Sequence, residues 1–330
     1  MQNSYYLFSN GELKRKDNTL RLSTEDGTIS DIPIEKVYDI YVFGELNINT
    51  ALLNLLSKYK IAVHFFNYYE HYIGTYYPKE SNLSGALLVN QIQHYEILNK
   101  RLKLAKLFVS GSADNILRNL KYYNTRGKEL DNSIQEISEL MTQLSYMDSI
   151  SSVMGIEGNI RKNYYEQWQI IINKDIEFEK RVKRPPDNMI NSLISLFNSL
   201  LYNKIITEIY KTQLTPTISY LHEPFVKRFS LALDISEVFK PLIVDRFIFS
   251  LFNKNMIDES DFEKQTNSLK LKESSFKRIL KLFDDRLKTT ITHRTLNRIV
   301  SYRYLIRLEL YKLIKHLIGE KEYDPFKIWW

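Results

Sequence analysis

The sequence predicts an α+β protein, a small N-terminal β-rich domain followed by a larger all-α domain, and three observations predict it. Apolar residues alternate with a period of two through residues 1–80, then recur with a period near 3.6. The stretch PKESNLSG, Pro78 to Gly85, stands at the change and has the composition of a linker. Glycine is scarce, 10 in 330 residues, which suits helices and disfavours glycine-rich phosphate loops. The expected division is a β-rich domain over 1–80, a linker over 81–90 and a helical domain over 91–330.

Taken in order, Asn10-Gly11 between two extended runs predicts a hairpin, and Asp26-Gly27 between Leu20, Leu22 and Ile29, Ile32 predicts another. VYDIYVFG reads as a buried strand. NTALLNLLSKYK reads as a short helix capped by Asn49 or Thr50, with Leu52, Leu53, Leu55 and Leu56 inward. IAVHFFN and HYIGTYY close the domain as strands. Beyond the linker, one long amphipathic helix is expected to end at Gly111. Helices follow over 113–124, 128–146, 149–172, 187–210, 224–254, 272–288 and 290–318.

Composition narrows the function. The chain has no cysteine, which excludes disulfides, thiolate metal sites and cysteine nucleophiles. Its 46 basic and 39 acidic residues leave a net charge of +7, a mild lean toward polyanions. The opening residues lack the basic start and apolar run of a signal peptide, and no apolar run approaches a membrane span. A cytoplasmic protein is the expectation, with no membrane partner.

One stretch raises a chemical question. In HEPFVKRFSLALDISE, His222 to Glu237, helical spacing places Phe229, Leu231, Ala232, Leu233, Ile235, Val238 and Phe239 on a broad apolar arc. Asp234 and Glu237 fall in the narrow polar wedge, three residues apart and therefore neighbours. Adjacent anions on a largely buried helix repel, and a cation relieves both. Either the strip is solvated, with Lys227 softening Asp234, or it joins His222 around a divalent ion such as Mn²⁺ or Mg²⁺. HEPFV is not a zinc-peptidase motif, because Val226 stands where the second histidine belongs. A third carboxylate, Glu157, lies between Gly155 and Gly158 at an expected helix start. It is either a helix-starting acid paired with Arg161 at i+4 or a further ligand. Basic stretches are candidate phosphate grips: Lys183 and Arg184 before Pro185-Pro186, and Arg294 and Arg298 with Tyr302 and Tyr304 interleaved.

Together these pieces resemble a known family, the CRISPR-associated integrase that inserts new spacers into CRISPR arrays. The resemblance lies in G-x-E-G (Gly155, Glu157, Gly158) with Arg161, and in Arg184 to Pro186 with Asp187 and Asn191. It continues in the L-H of His222, in Ser230 to Asp234 with Glu237, Pro241, Asp245 and Arg246, and in Tyr323 to Phe326. It spans nearly the whole chain. It implies that Glu157, His222 and Glu237 are catalytic ligands of Mn²⁺ or Mg²⁺, and that Asp234 supports them. The candidate DNA contacts are Arg161, Lys183, Arg184, Arg246, Arg294 and Arg298. The implied activity is metal-dependent DNA cleavage and spacer insertion by attack of a 3′-hydroxyl. The implied partners are DNA, a second copy bound through the β domain, and a small ferredoxin-like CRISPR-associated subunit. Two other readings share parts of this: a metal-dependent nuclease for branched DNA, and a non-catalytic DNA-binding scaffold. One departure from the family pattern is Ser219, where a glycine usually precedes the histidine by three residues.

Overall fold

The structure, a computed structural model, describes residues 2–79, 82–172, 176, 178, 180–182, 186–224, 229–265 and 268–330. It divides into two compact units, Met1–Leu83 and Ser84–Trp330.

The first unit carries two four-stranded sheets. Strands β1 (Asn3–Leu7), β2 (Gly11–Lys16), β3 (Thr19–Thr24), β4 (Ile29–Pro33), β5 (Val37–Val42) and β6 (Leu46–Ile48) precede helix α1 (Thr50–Lys58). Strands β7 (Val63–Phe66) and β8 (Tyr72–Tyr76) follow it. One sheet runs β1-β5-β7-β8 and the other β4-β3-β2-β6. Asn49 caps α1 by accepting from the Leu52 N–H, and Leu52, Leu55 and Leu56 pack on Leu13, Leu20, Val37 and Ile40. The Asp26-Gly27 turn joins the antiparallel β3 and β4 as its sequence predicts. Asn10-Gly11 does not make a hairpin. β1 instead runs parallel to β5, and β2 turns back to β3 through Asp17, whose φ is 54°. Gly11 is needed for another reason. At φ +146° it lies so close to β3 that a Cβ would stand 2.1 Å from the Ser23 carbonyl oxygen.

The second unit is mainly helical. Helix α2 (Gly85–Glu96) begins inside the stretch expected as linker, with Ser84 as its cap. Helix α3 (Leu98–Asn124) follows after a single extended residue, Ile97. The expected helix ending at Gly111 is therefore wrong at both points. No local breaker marks Ile97. Long-range ties flank it: Gln91 bonds Thr215 at both amide atoms, and Arg101 donates to the Tyr220 carbonyl and to Glu223. Gly111 sits mid-helix because Pro325 crosses there, 2.5 Å from where a Cβ would be.

Helices α4 (Asp131–Leu144), α5 (Ile150–Glu166), α6 (Trp168–Ile171) and α7 (Met189–Tyr210) come next. α7 is buried on nearly every side, as its continuous apolar sequence demands. The segment expected as one helix over 224–254 is instead α8 (Ser230–Lys240), a widened turn (Pro241–Asp245) and α9 (Arg246–Asn253). A hairpin of β9 (Phe262–Gln265) and β10 (Ser268–Leu271) precedes α10 (Glu273–Lys288). The start of the expected last helix is a second hairpin, β11 (Thr290–Thr292) and β12 (Ile299–Ser301), before α11 (Tyr302–Leu317). Thr290, Ile291, Thr292, Ile299 and Val300 are β-branched, which favours the strands. No helix among the described residues is long and apolar enough to cross a membrane.

Candidate active site

The polar wedge of α8 is not solvated. Asp234 and Glu237 are both buried, so each carboxylate must find its partners inside the protein. Asp234 finds them in the preceding loop. It accepts the backbone N–H groups of Tyr220 (2.6 Å), Leu221 (3.1 Å) and His222 (3.0 Å), and its Oδ1 also accepts from His222 Nδ1 at 2.9 Å. Ser230 donates to the Thr217 carbonyl and ties the start of α8 to the same loop. Ser219, the departure from the family glycine, closes the turn by donating its hydroxyl to the His222 carbonyl at 2.6 Å. The imidazole is therefore fixed at Nδ1, with Nε2 left as its donor atom. Burial favours neutral His222, but the hydrogen bond and charge of Asp234 outweigh it and raise its pKa.

Glu157 and Glu237 meet through Arg161. The glycines around Glu157 lie inside α5, whose start is capped two turns earlier by a reciprocal Ser149–Ser152 pair. Glu157 therefore projects from the helix body rather than from a turn at its start. Its i+4 partner is Arg161, Nε to Oε1 at 3.4 Å. The same guanidinium donates through Nη2 to Glu237 Oε2 at 2.7 Å and to Ser112 at 3.1 Å. Lys240 pairs with the other oxygen, Glu237 Oε1. Burial pushes Glu237 up, but Lys240 and Arg161 prevail and hold it well below the ordinary carboxylate range. Glu157 goes the other way: burial, then repulsion from Glu237, raises it against the pull of Arg161, Lys240 and His222. Glu157 thus feels the charge of Glu237, and His222 lies near enough to pull both carboxylates down.

The widened turn after α8 shapes the rest. Pro241 supplies no N–H, so the Glu237 carbonyl four residues earlier lacks its helical partner and accepts from Arg161 Nη2 at 3.3 Å instead. Two buried asparagines one turn apart on α3 also fasten this segment. Asn115 Nδ2 donates to the Val238 carbonyl at 2.9 Å, and Asn119 Nδ2 to the Pro241 carbonyl at 2.9 Å. The turn places Asp245 3.8 Å from Arg161 Nη1, an ion pair without a hydrogen bond. Burial pushes the Asp245 carboxyl up to about 7 against the attraction of Arg161.

The structure thus brings Glu157, His222, Asp234 and Glu237 into one locality. It separates the basic candidates. Arg161 is buried, a placement that suits an internal counter-charge rather than a grip on DNA. Arg246 donates to Asn119 at 2.6 Å. Arg294 and Arg298 lie on the β11–β12 hairpin, over the rings of Trp329 and Tyr304. Lys183, Arg184, Pro185, Val226 and Lys227 lie outside the described residues. Asp245 entered the sequence reading only as part of the family resemblance, without a role, and Lys240, Asn115 and Asn119 were not singled out. Of those three, only Lys240, three residues after Glu237, stood in a pattern that reveals it.

The donors suit a hard divalent ion: an imidazole nitrogen oriented by a carboxylate, and two carboxylates, one of which has its proton affinity raised by burial and then by repulsion from the other. Among the described residues, no three such side chains are already drawn together to ligating distance. Lys240 and Arg161 balance the charge of Glu237.

Known proteins share this architecture. The family model described as CRISPR associated protein Cas1 matches residues 5–285. The CRISPR-associated endonuclease Cas1 of Fusobacterium nucleatum is 57% identical over 330 residues, covering 100% of this chain and 98% of that protein. A solved CAS1 protein from Thermotoga maritima superposes with a TM-score of 0.88 at 41% identity, covering 98% of this chain and 100% of that one. A casposase solved bound to its integration product shares the fold, with a TM-score of 0.85 at 22% identity over 98% of this chain and 92% of that one.

Proposed function

The chain belongs to the CRISPR-associated Cas1 family, and from that premise we propose a metal-dependent DNA endonuclease and integrase that inserts spacer DNA into a CRISPR array. What carries the reading is the grouping of Glu157, His222 and Glu237, from three separate segments, into one field of mutually shifted charges. In this reading Glu157, His222 Nε2 and Glu237 hold Mn²⁺ or Mg²⁺. The ion would polarise the phosphoryl oxygen and stabilise charge on the attacking and leaving oxygens.

The protein's own groups do the rest. Asp234 fixes the tautomer of His222. Arg161 holds the two glutamates at a set spacing from inside. The incoming strand's 3′-oxygen forms a bond to the array phosphorus as the bond from that phosphorus to the array's own 3′-oxygen breaks. The attacking hydroxyl gives up its proton and the departing oxygen gains one. One phosphodiester replaces another, so no energy-supplying cofactor enters. With water as the attacking group the same site cleaves branched DNA. Lysines and arginines on the surface, Arg294 and Arg298 among them, position the backbone without reading sequence. The Met1–Leu83 unit is the proposed homodimerisation surface, and a small ferredoxin-like CRISPR-associated subunit is the proposed partner.

The test combines purified protein, partner subunit, protospacer duplex and a supercoiled array plasmid. Joined product that disappears in Glu157→Ala and His222→Ala is the expected result. Cleavage of branched DNA without joining identifies a repair nuclease instead. Joining retained by both variants removes these residues from the chemistry.

A further inference from the structure

The segment that follows α11 lies in no helix or strand, yet Tyr323, Phe326 and Ile328 are buried. Its anchors sit on three helices. On α11, Glu309 Oε1 accepts from the Tyr323 hydroxyl at 2.6 Å and from the Phe326 N–H at 2.8 Å. Lys312, one turn on, donates to the Asp324 carbonyl at 2.9 Å. On α3, Pro325 crosses Gly111, and Asn115 Oδ1 accepts from the Ile328 N–H at 2.7 Å. On α8, the Phe239 ring stacks on that of Phe326, with centroids 5.3 Å apart and planes 16° apart. Glu309 and Asn115 are both fully buried, so their bonds are shielded from competing water.

Asn115 joins this segment to α8. Its Nδ2 donates to the Phe326 carbonyl at 3.0 Å and to the Val238 carbonyl at 2.9 Å. The Ile328 N–H needs an acceptor, so the segment dictates which way the amide faces and turns Nδ2 toward α8. Val238 directly follows Glu237. On the Glu237 residue itself, Arg161 of α5 donates to the backbone carbonyl at 3.3 Å and to the carboxylate at 2.7 Å. Two successive carbonyls of α8 are thus held by side chains from two other helices. Such directional bonds fix the rotation and the axial position of one turn to the few tenths of an ångström that an ion site demands. An apolar residue at position 115 would fill the space but leave two carbonyls and one N–H without partners.

We propose that Asn115 is a positioning residue for Glu237, and that Tyr323–Ile328 is the strap that keeps its amide on the Val238 carbonyl. Seated, the strap sets where Glu237 stands relative to Glu157 and His222. This rests on the reading of those three residues as ion ligands.

Asn115→Ala, Phe326→Ala and the milder Phe326→Leu test it in the full chain, each with a thermal melt to confirm folding. Mn²⁺ binding to DNA-free protein is followed by electron paramagnetic resonance. Cleavage of a flapped DNA duplex is measured at saturating Mn²⁺. Each alanine variant is expected to bind Mn²⁺ about tenfold more weakly. Its kcat is expected to fall roughly 100-fold with KM for DNA unchanged, and Phe326→Leu to recover part of both losses. A folded alanine variant with native Mn²⁺ affinity and native kcat overturns the proposal, as does a loss confined to KM. Where an alanine variant does not fold, Phe326→Leu decides: native values overturn the proposal and intermediate ones support it. Native protein that binds no Mn²⁺, or His222→Ala that binds it equally well, removes the ion-site reading and this inference with it.

Discussion

Asp234 shows how one buried carboxylate can position another residue without itself reacting. Its two oxygens take three backbone N–H groups and one imidazole, so neither has a free direction. Asp234→Asn swaps one acceptor for a donor facing N–H groups and leaves the imidazole without its anion. The expected loss of stability is about 3 kcal/mol by urea unfolding. The pH dependence has a definite sign. Asp234 raises the folded pKa of His222, so this pair stabilises fully below the ordinary histidine range and loses that contribution as pH rises through the raised value. Asp234→Asn should therefore show its greatest deficit near pH 5.5 and a smaller one near pH 8.5, measured as the difference in unfolding free energy. An equal deficit at both pH values would mean that the imidazole is not coupled to Asp234. The spacing of Asp234 and Glu237 was legible in the sequence, as was the nearness of His222. That Asp234 turns back to the loop while Glu237 turns toward α5 was not, because both lie in the same wedge of the helix.

At the scale of elements, glycine separates local from tertiary cause. Gly155 and Gly158 lie inside α5, and a methyl group added at either would meet nothing within 4 Å, so packing does not require them. Each costs the helix about 1 kcal/mol relative to alanine. Gly111 in α3 is the opposite, since Pro325 leaves no room. Gly155→Ala and Gly158→Ala are expected to raise stability by about 0.5–1 kcal/mol each, and Gly111→Ala to lower it by about 1–3 kcal/mol. Urea denaturation decides this, and a destabilised Gly155→Ala would contradict it. If those two alanine variants are more stable yet cut DNA more slowly, the bare face beside Glu157 serves the substrate. The widened turn after α8 follows the same logic. Pro241 announces a break, but only distant elements decide how the segment is held: Arg161 of α5 bonds the Glu237 carbonyl, and Asn115 and Asn119 of α3 bond those of Val238 and Pro241. The hairpin over 290–301 was legible in its β-branched residues, yet the run of leucines after it reads as a longer helix.

On the scale of the whole molecule, the chain is two units with different character, one of paired sheets and one of helices. The first ends one sheet on β8, where Ile73 is 66% exposed, and the adjoining Tyr68 and Tyr69 are exposed as well. Apolar groups on an edge strand invite a partner. If this unit forms the homodimer, Ile73→Asp should weaken dimerisation at least about tenfold by sedimentation equilibrium. A dimer indifferent to the change would place the interface elsewhere.

The sequence by itself determined the class of the fold, the order of its two units, the family and the identity of the ionisable residues. Each of these is written in local periodicity or in the order of short motifs, and neither depends on distant contacts. Only the tertiary structure decided which of the charges meet. Arg161 reaches Glu237 across 76 positions of sequence, and Asn115 reaches Val238 across 123. Burial then converts those meetings into opposite shifts on chemically identical glutamates, because a charge removed from water is set by its nearest neighbours.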